Sequence, residues 1–402
     1  MIPNSITTII NKETIHDYIM NHMNMTSLYD AVFETTDMLN SWNIIYYNPI
    51  DMQTYDDIMH HTDDRTWLMD KLYSNISSLQ SRFKQARSNH MIHYNPAYRN
   101  TYVNKYKHDL EHYYSDKYGR KNHSNASASD SHADNANVSI NKHAYIIGGV
   151  PGAGKTRAIS RISVNQHVMP IIGDSYRKYD YDYMNLLLKN SRIMPKQTSS
   201  TEKQIINDMR MTAYDNNADY IIEGTFRTSE VPLNEIKQAM NNKYNIITAI
   251  IIADNMNVSI MNSIMRYVIL RAFGIPARFT PADAQNQTIS NIQKTIIDIL
   301  NQDDMDVNMT LINSDTLESY KITSNHDSHD TDYILRAFNL IINQHNAMND
   351  DYMQSSNAFI HDACNAIHKN DGNDDYMLAD DYDILAEYAN KTDIIINDYM
   401  SK

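Results

Sequence analysis

Apolar residues recur at three- and four-residue spacing through the first 120 positions, as Ile15, Tyr18, Ile19 and Met23 and again as Leu68, Leu72, Ile76, Leu79 and Phe83. That period lays one stripe along a helix. No alternating pattern competes, so residues 1–120 read as an all-helical domain. The stretch "KNHSNASASDSHADNANVSINK" then offers almost nothing to bury, and its composition predicts a polar linker over 121–142. From residue 143 the pattern changes to short oily runs, "AYIIGG", "VMPIIGD", "YIIEGT", "YNIITAIIIAD" and "MTLINSD", separated by helical stretches. Strands that are apolar throughout are buried on both faces, and helices between them imply parallel crossovers. The expected fold class is α/β, a parallel sheet flanked by helices over 143–320, with a helical N-terminal domain and a helical, acidic extension over 321–402.

Composition narrows the function. The 402 residues carry 35 Lys and Arg against 49 Asp and Glu, a net charge of -14. Such a field repels nucleic acid and anionic membranes, so neither is an expected partner and any phosphate site must rest on local positive charge. One cysteine, Cys364, fits a reducing compartment. The longest oily runs are far shorter than a membrane span, and the expected location is cytoplasmic.

Four of the nine glycines fall within seven residues, at 148, 149, 152 and 154. The segment Gly149, Val150, Pro151, Gly152, Ala153, Gly154, Lys155 and Thr156 fits G-x-x-x-x-G-K-[ST], with a strand before it and a helical pattern after it. In such a loop backbone N–H groups wrap a phosphate at close range, and the helix N-terminus adds its positive end. Lys155 would reach the β- and γ-phosphates of ATP or GTP, and Thr156 would hold Mg²⁺.

Two other oily runs end in an acid. Asp174 closes "PIIGD" and Glu223 closes "YIIEG", followed by Gly224, Thr225 and Arg227. Parallel sheets present ligands at the carboxyl ends of their strands. Asp174 could accept a hydroxyl proton, help hold Mg²⁺, or merely cap a helix. Glu223 stands at the same topological place on the next strand, with Gly224 turning the chain. Phosphoryl transfer also needs positive charge on the moving oxygens; Arg266 and Arg278 are candidates, against the plainer reading of solvated helix faces. No water-activating residue is evident, which favours a kinase over an NTPase. The "HDLEH" run, His108–His112, fits an inverted zinc-peptidase pattern but lies in a polar helix without an obvious third ligand.

The series "GGVPGAGKT", "IIGDSYRKY", "YIIEGTFRTSEVPL", "IMRYV" and "ARFTPADAQNQTISNIQKTI" resembles the zeta toxins, P-loop kinases of bacterial toxin–antitoxin systems, over residues 143–302. The resemblance implies phosphorylation of a sugar hydroxyl of UDP-N-acetylglucosamine with ATP or GTP and Mg²⁺. It implies Asp174 as catalytic base, Lys155 and Thr156 on the nucleotide, Glu223, Thr225 and Arg227 on the acceptor, and Arg266 and Arg278 on the transferring phosphate. The family's acidic contact in the helix before "IIEGT" has no clean match, since neither Glu202 nor Asp208 aligns. Another nucleotide acceptor such as NAD, or a non-catalytic nucleotide-binding regulator, are the alternatives. An epsilon-like antitoxin is an implied partner, and some relatives carry a fused helical segment that restrains the kinase. Residues 1–120 are expected to be such a restraint or a docking domain.

Overall fold

All five oily runs are strands of one sheet in the computed structural model, which describes residues 12–45, 51–88, 99–119, 141–180, 182–189, 191–224, 226–278, 280, 282–302, 305–323, 328–344, 347–369 and 379–400. The linker expected over 121–142 lies outside the described residues except for Asn141 and Lys142. The strands are β1 (His143–Gly149), β2 (Met169–Ile171), β3 (Tyr220–Glu223), β4 (Ile246–Ala253), β5 (Val307–Asn313) and β6 (Ser319–Ile322), in the order β2-β3-β1-β4-β5-β6. The first five are parallel, as expected of strands buried on both faces. β6 is antiparallel to β5, a short edge strand where the sequence pattern suggested the start of a helical tail. Its alternating side chains, like those of β5, mark the half-covered border of the sheet.

Register brings the chemistry together. Ile147 pairs with Glu223 and Gly149 with Ile252, so the glycine-rich loop leaves the sheet beside the end of β3.

Sixteen α-helices are described. Before the sheet come α1 (Lys12–Asn21), α2 (Met25–Ile45), α3 (Met52–His60), α4 (Arg65–Ser88) and α5 (Arg99–Tyr118). Among the strands lie α6 (Lys155–Gln166), α7 (Gly173–Tyr176), α8 (Tyr183–Lys189), α9 (Met194–Gln197), α10 (Ser199–Asp215), α11 (Glu230–Asn241), α12 (Met256–Ala272) and α13 (Ala282–Leu300). After them come α14 (Ser328–Ile342), α15 (Ala347–Lys369) and α16 (Ala379–Met400).

The N-terminal helices share a continuous apolar core with the sheet unit. α2 is buried nearly all round: Leu28, Tyr29, Val32, Met38 and Trp42 are covered, and so are Thr26, Ser27, Glu34, Thr35, Thr36, Asp37, Asn40 and Ser41. A helix without a wet face must be enclosed by protein, and its polar groups then need partners. Thr35 and Thr36 donate to carbonyls one turn back and accept from Asn75 of α4. The α3–α4 turn grips α6: the Asp63 carboxylate bridges Arg157 and Arg161, which hold it down to about 2, and Arg157 Nε donates to Thr62 O at 3.0 Å.

The other end of the chain closes on the same helices. Tyr18 of α1 shares a 2.7 Å buried hydrogen bond with Ser356 of α15 and stacks on Phe359 at 4.5 Å between centroids. Tyr352 OH donates to Asn262 of α12 at 2.7 Å and lies 3.2 Å from Ser27 Oγ of α2. Phe359→Ala is expected to cost about 3 kcal/mol in urea unfolding, since it removes a buried ring that cannot be replaced by collapse.

Candidate active site

The glycine-rich loop runs from the end of β1 into α6. Gly152 and Gly154 have φ of 82° and 84°, a region side chains avoid, and a Cβ on Gly152 would sit 1.9 Å from Ser259 O. α12 therefore presses against the loop, and Asn262 Nδ2 donates to Gly152 O at 3.0 Å. Lys155 is folded back, its Nζ donating at 3.1 Å to the carbonyls of Gly149 and Val150. Burial pulls its ammonium down, against Glu223, Asp174 and Asp30. Gly148 serves packing rather than phosphate approach: a Cβ there would meet the Phe226 ring at 2.2 Å.

The two acidic strand ends face the same cavity. Asp174, in the first turn of α7, ion-pairs through Oδ1 with Arg177 Nε and through Oδ2 with Arg278 Nη1, both at 2.9 Å. Burial alone would raise its carboxyl, but Arg278 and then Arg177 hold it well below the usual carboxylate range. Glu223 experiences the reverse. Burial raises it to about 7 with help from Asp174, and Lys155 only partly offsets this.

Arg266, on α12, and Arg278, just beyond it, converge from the other side, and they meet a group that the sequence reading did not place there. Glu34 of α2 accepts the Arg278 backbone N–H at 2.8 Å, and its Oε2 lies 3.2 Å from Arg266 Nε and 3.6 Å from Arg278 Nε. Its side chain is only 2% exposed. Asp30, one turn earlier, lies 4.0 Å from Arg266 Nη1. Burial raises its carboxyl against the pull of Arg266 and Lys155. The opening turn of α2 reaches the phosphate loop, where Thr26 Oγ1 lies 3.2 Å from a Cβ built on Gly154.

Arg227 also lines the cavity, and among the described residues its Nε has no hydrogen-bond partner. Thr225 lies outside the described residues. Among the described residues of the "EGTFR" turn the left-handed one is Phe226, at φ 53°, and not Gly224, which corrects the expected role of that glycine. Gly224 instead continues the sheet, its N–H donating to Ile147 O at 2.8 Å. Glu202, which had no clean match, stands at the site: Oε2 is 2.5 Å from Arg177 Nη2, and burial, then Asp174, raise its carboxyl to about 7. Asp208 pairs instead with Lys107 of α5 at 3.2 Å. His108 and His112 lie on α5 with rings 6.3 Å apart, and among the described residues no three His, Cys, Asp or Glu are grouped to hold a metal.

What remains between these groups is a cavity of about 250 Å³ whose walls include Asp30, Glu34, Pro151, Lys155, Thr156, Asp174, Glu223, Arg227, Arg266 and Arg278. The loop fits a nucleotide's phosphates, because Gly152 and Gly154 take the left-handed backbone of a phosphate-binding turn and Lys155 donates to loop carbonyls that it can exchange for phosphate oxygens. Magnesium suits Thr156 only together with phosphate oxygens, since that ion prefers few protein ligands beside its substrate.

Glu223 is harder to ionise in the folded chain than its ordinary value of 4.5, so its contribution to stability is intact below that value and is lost as pH rises through about 7. Glu223→Gln is expected to leave the melting temperature little changed at pH 5 and to raise it by about 2–4 °C at pH 8, measured by thermal unfolding at both pH values.

Comparison with known proteins bears on this arrangement. Residues 128–325 match the family model for the zeta toxin. Over 180 residues, 44% of this chain, the sequence is 24% identical to toxin zeta of Streptococcus agalactiae and 23% identical to toxin zeta of Enterococcus hirae. The chain spans 62% of the length of those relatives. A structure from the characterization of the PezAT chromosomal toxin–antitoxin system of the human pathogen Streptococcus pneumoniae aligns at 16% identity and a TM-score of 0.49, over 68% of this chain and 98% of that one. The unit that carries the phosphate loop, the acidic strand ends and the paired arginines is thus the part of the chain that matches the zeta toxin family.

Proposed function

We propose that the chain is a kinase that transfers the γ-phosphoryl group of ATP or GTP to a sugar hydroxyl of UDP-N-acetylglucosamine, acting as a bacterial toxin against cell-wall precursor use, and that its own N-terminal helices hold it inactive. The observation that carries the reading is Glu34, seated between Arg266 and Arg278 in the cavity that Lys155, Asp174 and Glu223 also line. A phosphoryl group in transfer would put its oxygens where that carboxylate lies.

In the reaction, Lys155 exchanges loop carbonyls for phosphate oxygens, and Thr156 together with those oxygens would hold Mg²⁺, which would supply charge neutralisation to the phosphates. Glu223, Thr225 and Arg227 orient the acceptor. The acceptor hydroxyl oxygen bonds to the γ-phosphorus, the bond to the β–γ bridging oxygen breaks, and the hydroxyl proton passes to Asp174. Arg278 links these events. It now pins Asp174 and contacts Glu34; an arriving phosphoryl group competes for the same guanidinium, and each contact that Arg278 loosens returns basicity to Asp174.

Restraint follows from periodicity. Asp30, Glu34 and Asp37 stand at i, i+4 and i+7, one face of α2, and that face lies along the crevice. The space left is smaller than the roughly 300–1,000 Å³ of ordinary ligand sites.

Incubation with labelled ATP, Mg²⁺ and UDP-N-acetylglucosamine tests both parts. Asp174→Asn should lower transfer by about 10²–10⁴-fold and leave ATP affinity nearly unchanged; a fully active variant would remove Asp174 as base. Glu34→Ala should raise the transfer rate about tenfold or more, as expected for loss of a few kcal/mol of buried ion pairing. An unchanged rate would refute the restraint, and label entering NAD but not UDP-N-acetylglucosamine would refute the acceptor.

A further inference from the structure

The acidic face of α2 has a third member, and what it touches has no part in the chemistry above. Asp37 lies three residues beyond Glu34, about 4.5 Å further along the helix axis. It is further from the phosphate loop, which Thr26 meets at the other end. Its Oδ1 accepts from Lys178 Nζ at 2.8 Å and from Tyr55 OH at 2.5 Å; its Oδ2 accepts from Ser175 Oγ at 3.1 Å. Lys178 is 4% exposed, and its Nζ also reaches Tyr55 OH at 2.7 Å. Ser175 is the neighbour of Asp174 in sequence, and both Ser175 and Asp37 line the cavity.

A buried ion pair of this kind adds little net stability over an apolar pair, whereas an ammonium left there without its anion is costly. Lys178 belongs to the sheet unit and Asp37 to the restraint, so freeing the crevice leaves Lys178 in need of another anion. The other two carboxylates of the face lie beside groups made for phosphate: Asp30 near Arg266, and Glu34 against Arg266 and Arg278. We infer that Asp37 marks a second anion subsite, in which Lys178 and Ser175 bind a phosphate or diphosphate carried by the acceptor itself. The reacting hydroxyl then lies between that group and the transferring phosphoryl, beside Asp174. Lys178 would thus select acceptors that are already phosphorylated over free sugars.

The inference rests on the restrained-kinase reading, and the test separates the two. The full chain carrying Glu34→Ala and Asp37→Ala has two of the three stand-in carboxylates removed and serves as the reference. With its phosphate loop saturated by a non-hydrolysable ATP analogue, UDP is titrated calorimetrically, and kinetics are run with UDP-N-acetylglucosamine. Adding Lys178→Met should weaken UDP binding and raise the acceptor KM at least tenfold, with kcat and the ATP KM changed less than threefold. Lys178→Arg, which keeps the charge, should restore most of the affinity and controls for a folding defect. Equal UDP affinity in the Lys178→Met protein, or no UDP binding by the reference, would overturn the subsite. UDP binding that depends on Lys178 in a protein unable to phosphorylate UDP-N-acetylglucosamine would sustain the subsite and refute that acceptor.

Discussion

A single buried carboxylate orders this molecule. Glu34 has been taken out of water, and its charge is tolerable there only because Arg266 and Arg278 stand beside it and a backbone N–H completes its coordination. The relation holds in both directions. Two largely buried arginines held near one another repel, and an anion between them relieves that repulsion. The sheet brings the arginines near the phosphate loop, and α2 brings the anion. Enclosure of α2 on every side, its buried threonines and the grip of α4 and α15 all serve to hold that carboxylate in place.

Competition for the arginines also sets the state of the acids around them. Asp174 is driven far down by Arg278 and Arg177, while Glu223 and Glu202, close to Asp174 and enclosed, are driven up to about 7. Carboxyl groups drawn apart in this way occupy different protonation states at one pH, a common sign of a site built for proton transfer. The same separation makes the folded chain sensitive to pH, since a raised carboxyl favours the folded state only while it keeps its proton.

Much of the sheet was legible because strands buried on both faces leave continuous oily runs, and the ends of those runs, at Gly149, Asp174 and Glu223, are where side chains of another kind must begin. β6 was not, because a four-residue edge strand with one wet face looks like any polar tail. The turn after β3 was misjudged for a related reason: glycine is the usual bearer of positive φ, yet here Phe226 bears it while its ring packs against Gly148. The largest omission was the acidic face of α2. Asp30, Glu34 and Asp37 were assigned nothing, since an acidic stripe on a helix has no address until tertiary packing gives it one. A signal existed nonetheless. These three are the only charged residues between Met25 and Ile45, all of one sign, one face and one spacing. Lys178 and Asn262 left no comparable mark, since nothing local separates a lysine or an asparagine that will be enclosed from one that will not.

The position of α2 ahead of the sheet in the chain has a consequence for synthesis. Domains fold as units, N-terminal first, while the ribosome adds about 5–20 residues per second. By the time Arg278 emerges, Glu34 has preceded it by 244 positions and α2 has long been made. The counter-ion is therefore made well before the arginines it meets, while α15, which helps to hold it in place, is added only after them.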